Sequence, residues 1–363
     1  MARFSVDVVE VIIEPHPNAD ALDLARVGDY MSIVKKGQFA TGDLAAYIPE
    51  QSIVPQWLLA EMGLLGRLAG KNKDRVKAIR LRGVLSQGLM YAARPQWQVG
   101  DDVAAELGIE KYRPQLPTHM AGKHWSAGLE RCMRYDIDAH RRFPDVIEEG
   151  EQVVFTEKIH GTWTQFGVMS ADLTDPEHGA LVVASKGVAA KGLAFKIDEE
   201  ARQKNLYVRA ARSLEVEGRI RRVFAEALGL GPVFVLGELF GRGVQDLHYG
   251  AEGRTEQVPG FRVFDIHVGR PGNGRFLEDA ELDEACEVLG LPRVPVLYRG
   301  PFSAQAMDTH ADGKETISGA GRHIREGIIM RTVPERRDDS LGRVQLKRVS
   351  AAYLLRNGGT EYE

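Results

Sequence analysis

Between residues 1 and 112, short runs rich in β-branched residues are cut at intervals by glycine turns. FSVDVVEVIIE opens the series, and LARVG, MSIVKK, LAAYIP, RVKAIRLRG and GLMYAA follow as strand-forming segments. Gly28-Asp29, Gly37 and Gly42-Asp43 supply turns. PQWLLAEMGLL, with Pro55 near its start, predicts one short helix over 55–65. About five or six short strands in roughly a hundred residues predict a small OB-like β-barrel, with a sandwich as the nearest rival.

From 113 to 150 the period is lost. RPQLPTHMAGKHWSAGL carries Pro114, Pro117, Gly122 and Gly128, which predicts an exposed connector, and RYDIDAHRRFPDVIEEGE leads onward. From 151 to 363 strand patterns return and alternate with helical ones. EQVVFTEK, WTQFGVM, ALVVASKG, PVFVLGELF, FRVFDIHV, EGIIMRT and VQLKRVS predict strands. A long helical stretch is predicted over 196–228, stopped by Gly229, Gly231 and Pro232, and a second helix over 281–289. No strand–GxGxxG–helix unit opens this region, and the strands are too scattered for a TIM barrel. The fold class predicted is α+β: an OB-like module followed by an antiparallel-rich domain.

Length and composition agree with two soluble domains: 363 residues, 44% hydrophobic and 27% charged. No apolar run approaches the ~20 residues of a membrane helix. The N-terminal stretch carries Asp7, Glu10 and Glu14 and lacks the layout of a secretory signal. Cys132 and Cys286 form no CxxC, which argues against zinc and disulfide frameworks and suits a cytoplasmic, reducing setting. With 47 Lys+Arg against 51 Asp+Glu the net charge is −4, so a polyanion would have to be held by local clusters.

Walker A, HExxH and GxSxG are all missing. What stands out is Thr156-Glu157-Lys158-Ile159-His160-Gly161-Thr162, a lysine at the end of an apolar strand and three residues before a glycine. Alone, KxxG is a frequent accident. Here Gly237-Glu238-Leu239 ends PVFVL, Phe264-Asp265 lies in FRVFDI, Glu326-Gly327 opens IIMR, and Leu346-Lys347 lies in VQLKRVS. This ordered set resembles the covalent nucleotidyltransferase superfamily of DNA ligases, RNA ligases and capping enzymes, and is most similar to the ATP-dependent RNA ligases. RRFPDVIEEGEQVVFTEKIHGTW, followed by SKG (185–187) and GLAFK, resembles the group in which an OB-like module precedes the transferase domain.

The resemblance implies self-adenylylation of Lys158 by ATP, with Mg²⁺ or Mn²⁺ as cofactor. AMP would then pass to a 5′-phosphate and an RNA 3′-hydroxyl would seal the break. It implies that Glu157 and Lys158 set the adenine edge against the backbone, that Phe264 stacks on the ring, and that Glu238 binds the ribose or a metal-bound water. Glu326 would hold a metal-bound water, Lys186 and Lys347 would contact phosphates, and His160, beside Gly161, would meet phosphate or the metal shell. The chemistry is coherent. An amine of pKa ≈ 10.4 must lose its proton to attack, at a cost of about 4 kcal/mol near neutrality, and nearby cations or a dry strand end lower that cost. Core packing is the competing role for Phe264, with Phe261 as the stacking residue if the register slips. Two departures stand out. Gln345 occupies a position where relatives often carry lysine, so that phosphate contact is either lost or supplied by Arg348, and Trp163 stands where relatives often have Asn.

Between residues 67 and 82 lie Arg67, Lys71, Lys73, Arg75, Lys77, Arg80 and Arg82 against the single acid Asp74. On an OB-like unit this reads either as a phosphate-tracking surface for RNA or a nicked RNA-containing duplex, or as a solvated hairpin face. Arg131, Arg134, Arg141 and Arg142 gather near the junction, and Arg219, Arg221 and Arg222 read as a solvated helix face. His16-Pro17-Asn18-Ala19-Asp20 resembles the opening of tRNA-binding OB modules, or is ordinary turn chemistry. The rival functions are a related DNA ligase or capping-type nucleotidyltransferase, and a non-catalytic RNA-binding protein with a degenerate transferase fold.

Overall fold

The structure is a computed structural model that describes residues 4–113, 115–250, 259–356 and 359. The chain divides into two compact units. One holds the described residues through Arg113 together with Asp138–Val146 and a short stretch from Ala351; the other holds the segment ending at Ile137 together with Ile147–Ser350.

In the first unit, strand Leu44–Ile48 lies between Asp7–Glu10 and Leu89–Ala92, and Leu22–Val27 lies between Ile12–Pro15 and Tyr30–Lys35. All these pairings are antiparallel. Val6, Val8, Ala46, Ile48, Leu58 and Leu59 meet in one buried cluster, so alternate strand residues and one face of a helix share a core. That helix is Gln56–Glu61, entered from Pro55, whose extended backbone ends the preceding run. RVKAIRLRG is mostly loop rather than strand: Arg75 makes single antiparallel bridges with Ile53 and Ala69, and Ile79–Leu81, all three of its residues exposed, pairs with Val84–Ser86. Arg82 and Gly83 both have positive φ (47° and 89°), the geometry of a two-residue hairpin turn. Val76, by contrast, is buried in that core: its N–H donates to the Ser52 carbonyl at 2.9 Å and its carbonyl accepts from the Gln51 N–H at 3.0 Å.

The second unit is built on two large antiparallel sheets. Its first has strands in the order Gln345–Val349, Gly327–Thr332, Gln152–Lys158, Val296–Pro301. The second has the order Leu181–Ser185, Gly161–Val168, Val233–Phe240, Gly260–Val268, Arg275–Phe276. Strand Gln152–Lys158 ends where Gly161–Val168 begins, so Ile159 and His160 alone carry the chain from one sheet to the other. That seam is where the KxxG motif falls.

Two expectations are corrected. The helix predicted over 196–228 is four helices, Glu199–Lys204, Leu206–Ser213, Val216–Val223 and Ala225–Leu230. Asn205 restarts it by accepting from the Tyr207 and Val208 N–H groups, and Glu215 adopts φ of 50°. The connector predicted to be exposed is partly buried: Trp125, Ala127, Cys132, Met133 and Tyr135 join the core beside the second sheet. An aperiodic segment can be buried when its backbone is satisfied. Here the Gln165 side chain accepts from Met133 N–H (2.6 Å) and donates to the Arg131 carbonyl (2.9 Å). No helix among the described residues is long and apolar enough to cross a membrane.

Candidate active site

Lys158 is the last residue of its strand and half-buried. Directly paired residues share a face, and residues two apart on a strand do too. Thr156 pairs with Ile329 and Ile329 with Lys347, so Lys347 stands on the same face as Lys158. Glu157 alternates to the opposite face, where its buried carboxylate accepts from the Thr316 N–H (2.9 Å) and hydroxyl (2.6 Å) and lies 3.7 Å from Arg325 Nε. Burial pushes its pKa up, and the Thr316 hydrogen bonds oppose the shift.

Two carboxylates converge on Lys158. Glu326, just ahead of strand Gly327–Thr332, forms an ion pair with the Lys158 ammonium. Its backbone is fixed by the Ser350 N–H, which donates to the Glu326 carbonyl at 2.9 Å. Glu238, on strand Val233–Phe240, has its pKa pushed up to about 8, foremost by burial; Lys158 and Lys186 draw it down and Glu326 raises it further. Lys186, at the start of the short helix Lys186–Ala189, lies 3.2 Å from Asp136. Lys158, Lys186, Glu238 and Glu326 therefore share one electrostatic site.

Gly161 lets the second sheet close against the seam: a Cβ there would overlap the Leu239 carbonyl oxygen. At Gly237, likewise, a Cβ would enter the Phe261 ring. Phe261 is buried and 5.3 Å from Phe166, so it belongs to the core. Phe264 is the residue displaced by a β-bulge: Leu236 pairs with Asp265 and Gly237 with Val263, leaving Phe264 without a partner in the ladder. Half-buried, it lies 5.1 Å from the Tyr135 ring.

Behind Phe264, Asp265 is fully buried and receives Tyr135 Oη (2.7 Å), Arg331 (3.4 Å) and Arg343. Gln345 Nε2 donates to Tyr135 Oη at 2.9 Å. The expected missing lysine is thus replaced by a member of this buried network. Arg348 does not take its place: it is in register with Glu157 on the opposite face and donates to Asp308 at 2.9 Å. Trp163, paired with Glu238, packs in the core, and its indole N–H has no hydrogen-bond acceptor among the described residues. His160 is buried and bound to Asp246 Oδ1 at 2.7 Å.

The basic cluster of the first unit divides. Lys71, Lys73, Arg80 and Arg82 are exposed and Lys77 is half-buried, whereas Arg75 is held 4.3 Å from the Tyr112 ring centroid. Arg80 also caps its own hairpin, donating to the Gly83 carbonyl at 3.0 Å. Arg131 is tied to the Ala127 and Leu173 carbonyls, and Arg219 to the carbonyls of Leu289 and Gly290. Asp136, Tyr135, Asp246 and Tyr249 belong to the site but had no motif to mark them.

The RNA ligase family model matches residues 151–349, which spans both sheets and every residue converging on Lys158. The chain belongs to the RNA ligase family. Residues 5–93 match an OB-fold domain model, so this ligase carries an OB-fold domain ahead of the transferase sheets. Its fold is similar to that of Naegleria gruberi RNA ligase. A glutamate-to-alanine variant of that protein with ATP and Mn aligns with TM-score 0.74 and 21% identity, over 96% of this chain and 97% of that one. The same protein with PPi aligns with TM-score 0.73 and 22% identity over the same shares. An apo aspartate-to-alanine variant gives 0.74 and 22%, over 97% and 98%. No curated protein sequence matches this ligase.

Proposed function

We propose that this ligase is ATP-dependent and that Lys158 is its nucleophile. Lys158 Nζ attacks the α-phosphorus of ATP, forming the P–N bond as the bond to pyrophosphate breaks. An RNA or DNA 5′-phosphate then takes the AMP and frees the lysine, and an RNA 3′-hydroxyl displaces AMP to form the phosphodiester. The carrying observation is that Lys158, at a seam between two sheets, is ion-paired with Glu326, and that both, with Lys186, act electrostatically on the buried Glu238 carboxyl.

Among the described residues no group of three or more His, Cys, Asp or Glu is spaced to hold a metal directly. Two carboxylates with one pKa raised are nevertheless a donor set that a cation would relieve. Glu238 and Glu326 would hold Mg²⁺ or Mn²⁺ through its waters, and the ion would neutralise phosphate charge. Phe264, backed by Tyr135, offers an aromatic face for adenine. Lys186 and Lys347 meet the phosphates, and the Glu157 and Lys158 backbone meets the adenine edge. Solved complexes of the Naegleria ligase with ATP and Mn, and with PPi, support this reading.

Lys71, Lys73, Arg75, Lys77, Arg80 and Arg82 form the RNA-binding surface of the OB-fold domain, for an RNA or a nicked RNA-containing duplex. The exposure of four of them supports this. Two buried free thiols suit a cytoplasmic setting. Mass spectrometry after incubation with ATP and Mg²⁺ tests the central step: an AMP adduct on Lys158, absent in Lys158→Ala, is expected. An adduct on another residue, or none with either metal, overturns it and favours the RNA-binding alternative. Sealing of RNA against DNA 3′-hydroxyl ends, with each nucleoside triphosphate in turn, separates the related nucleotidyltransferases.

A further inference from the structure

The turn that carries Lys158 is gripped from one neighbouring segment. After strand Val233–Phe240, three side chains reach residues 160 and 161. Gln245 Nε2 donates to the Gly161 carbonyl at 2.8 Å, and the Tyr249 hydroxyl accepts from the His160 N–H at 2.8 Å. Asp246 Oδ1 lies 2.7 Å from His160 Nε2. That contact, with the backbone held at residues 160 and 161, fixes the ring's orientation.

The far edge of the same ring faces the reacting centre. His160 Nδ1 is 3.9 Å from Glu326 Oε2, while Glu326 Oε1 meets Lys158. The imidazole side chain is 4% exposed and Glu326 9%, so neither has much room to swing, whereas Asp246 is 23% exposed. The series Asp246, His160, Glu326, Lys158 leads from a partly solvated carboxylate to the amine through a 2.7 Å contact, a 3.9 Å approach and an ion pair. Gln245 and Tyr249 anchor the backbone of the turn, Asp246 holds the ring, and the ring's other nitrogen looks toward Glu326.

We propose that Asp246 is a positioning residue: by fixing the His160 ring it backs the Glu326 carboxylate where that group meets Lys158. The inference rests on Lys158 being the nucleophile. Asp246 acts through His160 and Glu326 rather than on ATP, so its removal slows AMP transfer to Lys158 and leaves nucleotide binding alone.

The test follows adduct formation on the full chain with ATP and Mg²⁺ as a function of ATP concentration. Asp246→Ala should slow the saturating rate by about tenfold or more, with half-saturating ATP changed by less than about twofold. Asp246→Asn keeps an oxygen to accept from Nε2–H and should recover most of the rate. A merely structural role would lower the melting temperature of both variants without this split. If Asp246→Ala does not fold, Asp246→Asn against Asp246→Ser supplies the same comparison, since serine is too short to reach the ring. The proposal is overturned if Asp246→Ala reacts within about twofold of wild type, if Asn is as slow as Ala, or if the loss lies in half-saturating ATP alone. Wild type forming no adduct would overturn the ligase reading together with this inference; normal adduct formation in both proteins would overturn this inference alone.

Discussion

The seam around Lys158 and the basic stretch from Lys71 to Arg82 are both rich in charge, yet they are built in opposite ways. At the seam, strand register fixes each residue's face, the carboxylates are buried or half-buried, and neighbouring side chains pair with them. In the basic stretch, four cations stand exposed on a loop and a hairpin whose first strand, Ile79–Leu81, has no buried residue. Bond-making chemistry needs atoms held within about half an ångström, which only packed strands provide. Attraction to a phosphate chain is long-ranged and tolerates movement, so exposed charge on a turn is sufficient.

The largest effect should come from the seam. Glu326→Ala removes the carboxylate that meets Lys158 and faces His160, and leaves the half-buried amine without that partner. Adduct formation should fall about 100-fold or more, on the scale of losing a preorganised electrostatic group, while RNA binding by the uncharged enzyme stays within about twofold. Quench-flow labelling with ATP and a filter-binding titration measure the two. Wild-type labelling would remove Glu326 from the site.

The second effect belongs to the basic stretch and should leave labelling untouched. Replacing Lys71, Lys73, Arg80 and Arg82 with Gln should weaken RNA binding about tenfold near 0.1 M salt and flatten the slope of log K against log salt, by roughly 0.7–0.9 per lost phosphate contact. Arg75→Gln sharpens the contrast. That guanidinium lies against Tyr112, so its loss should lower the melting temperature and flatten the slope by less than the loss of one exposed cation does. An unchanged slope in the fourfold variant would assign the stretch to solvated surface.

How much of this was legible beforehand follows the same division. The seven strands read from the second half of the chain all exist, because long apolar runs with a fixed alternation leave little choice of structure. Lys158, Glu238, Glu326 and Lys186 could be singled out because each stands beside a strand run with a recognisable order of motifs. Tyr135 and Asp136 could not: they lie on an aperiodic segment whose burial depends on Gln165 and Asp265, more than twenty residues away in sequence. The four-way break of the 196–228 helix turned on Asn205 capping a new start and on the backbone of Glu215, both of which are weak beside the summed helical propensity. Phe261 and Phe264 were exchangeable on sequence, and only the bulge decides which one is core.

The smallest effect is a shift in stability with pH, and it too separates the two regions. Glu238 in the folded protein has a pKa near 8 against 4.5 for an ordinary glutamate, burial being the main cause. The folded state therefore binds this proton more tightly than the unfolded chain does. Its contribution to stability is complete below about pH 4.5 and is lost as pH rises toward 8, because the native state must then either keep a proton the solution would remove or bury a charge. Glu238→Gln cannot titrate. Without ATP or metal, the melting temperature of the variant relative to wild type should rise steadily between pH 5 and pH 8.5, each ~1 kcal/mol of this linkage adding roughly 2–4 °C for a unit of this size. The fourfold Gln variant of the basic stretch should show no such trend, its groups being exposed. A Glu238→Gln offset that is equal at both pH values would mean that Lys158 and Lys186 offset the burial of Glu238, leaving its carboxyl ordinary and weakening the case that it awaits a cation.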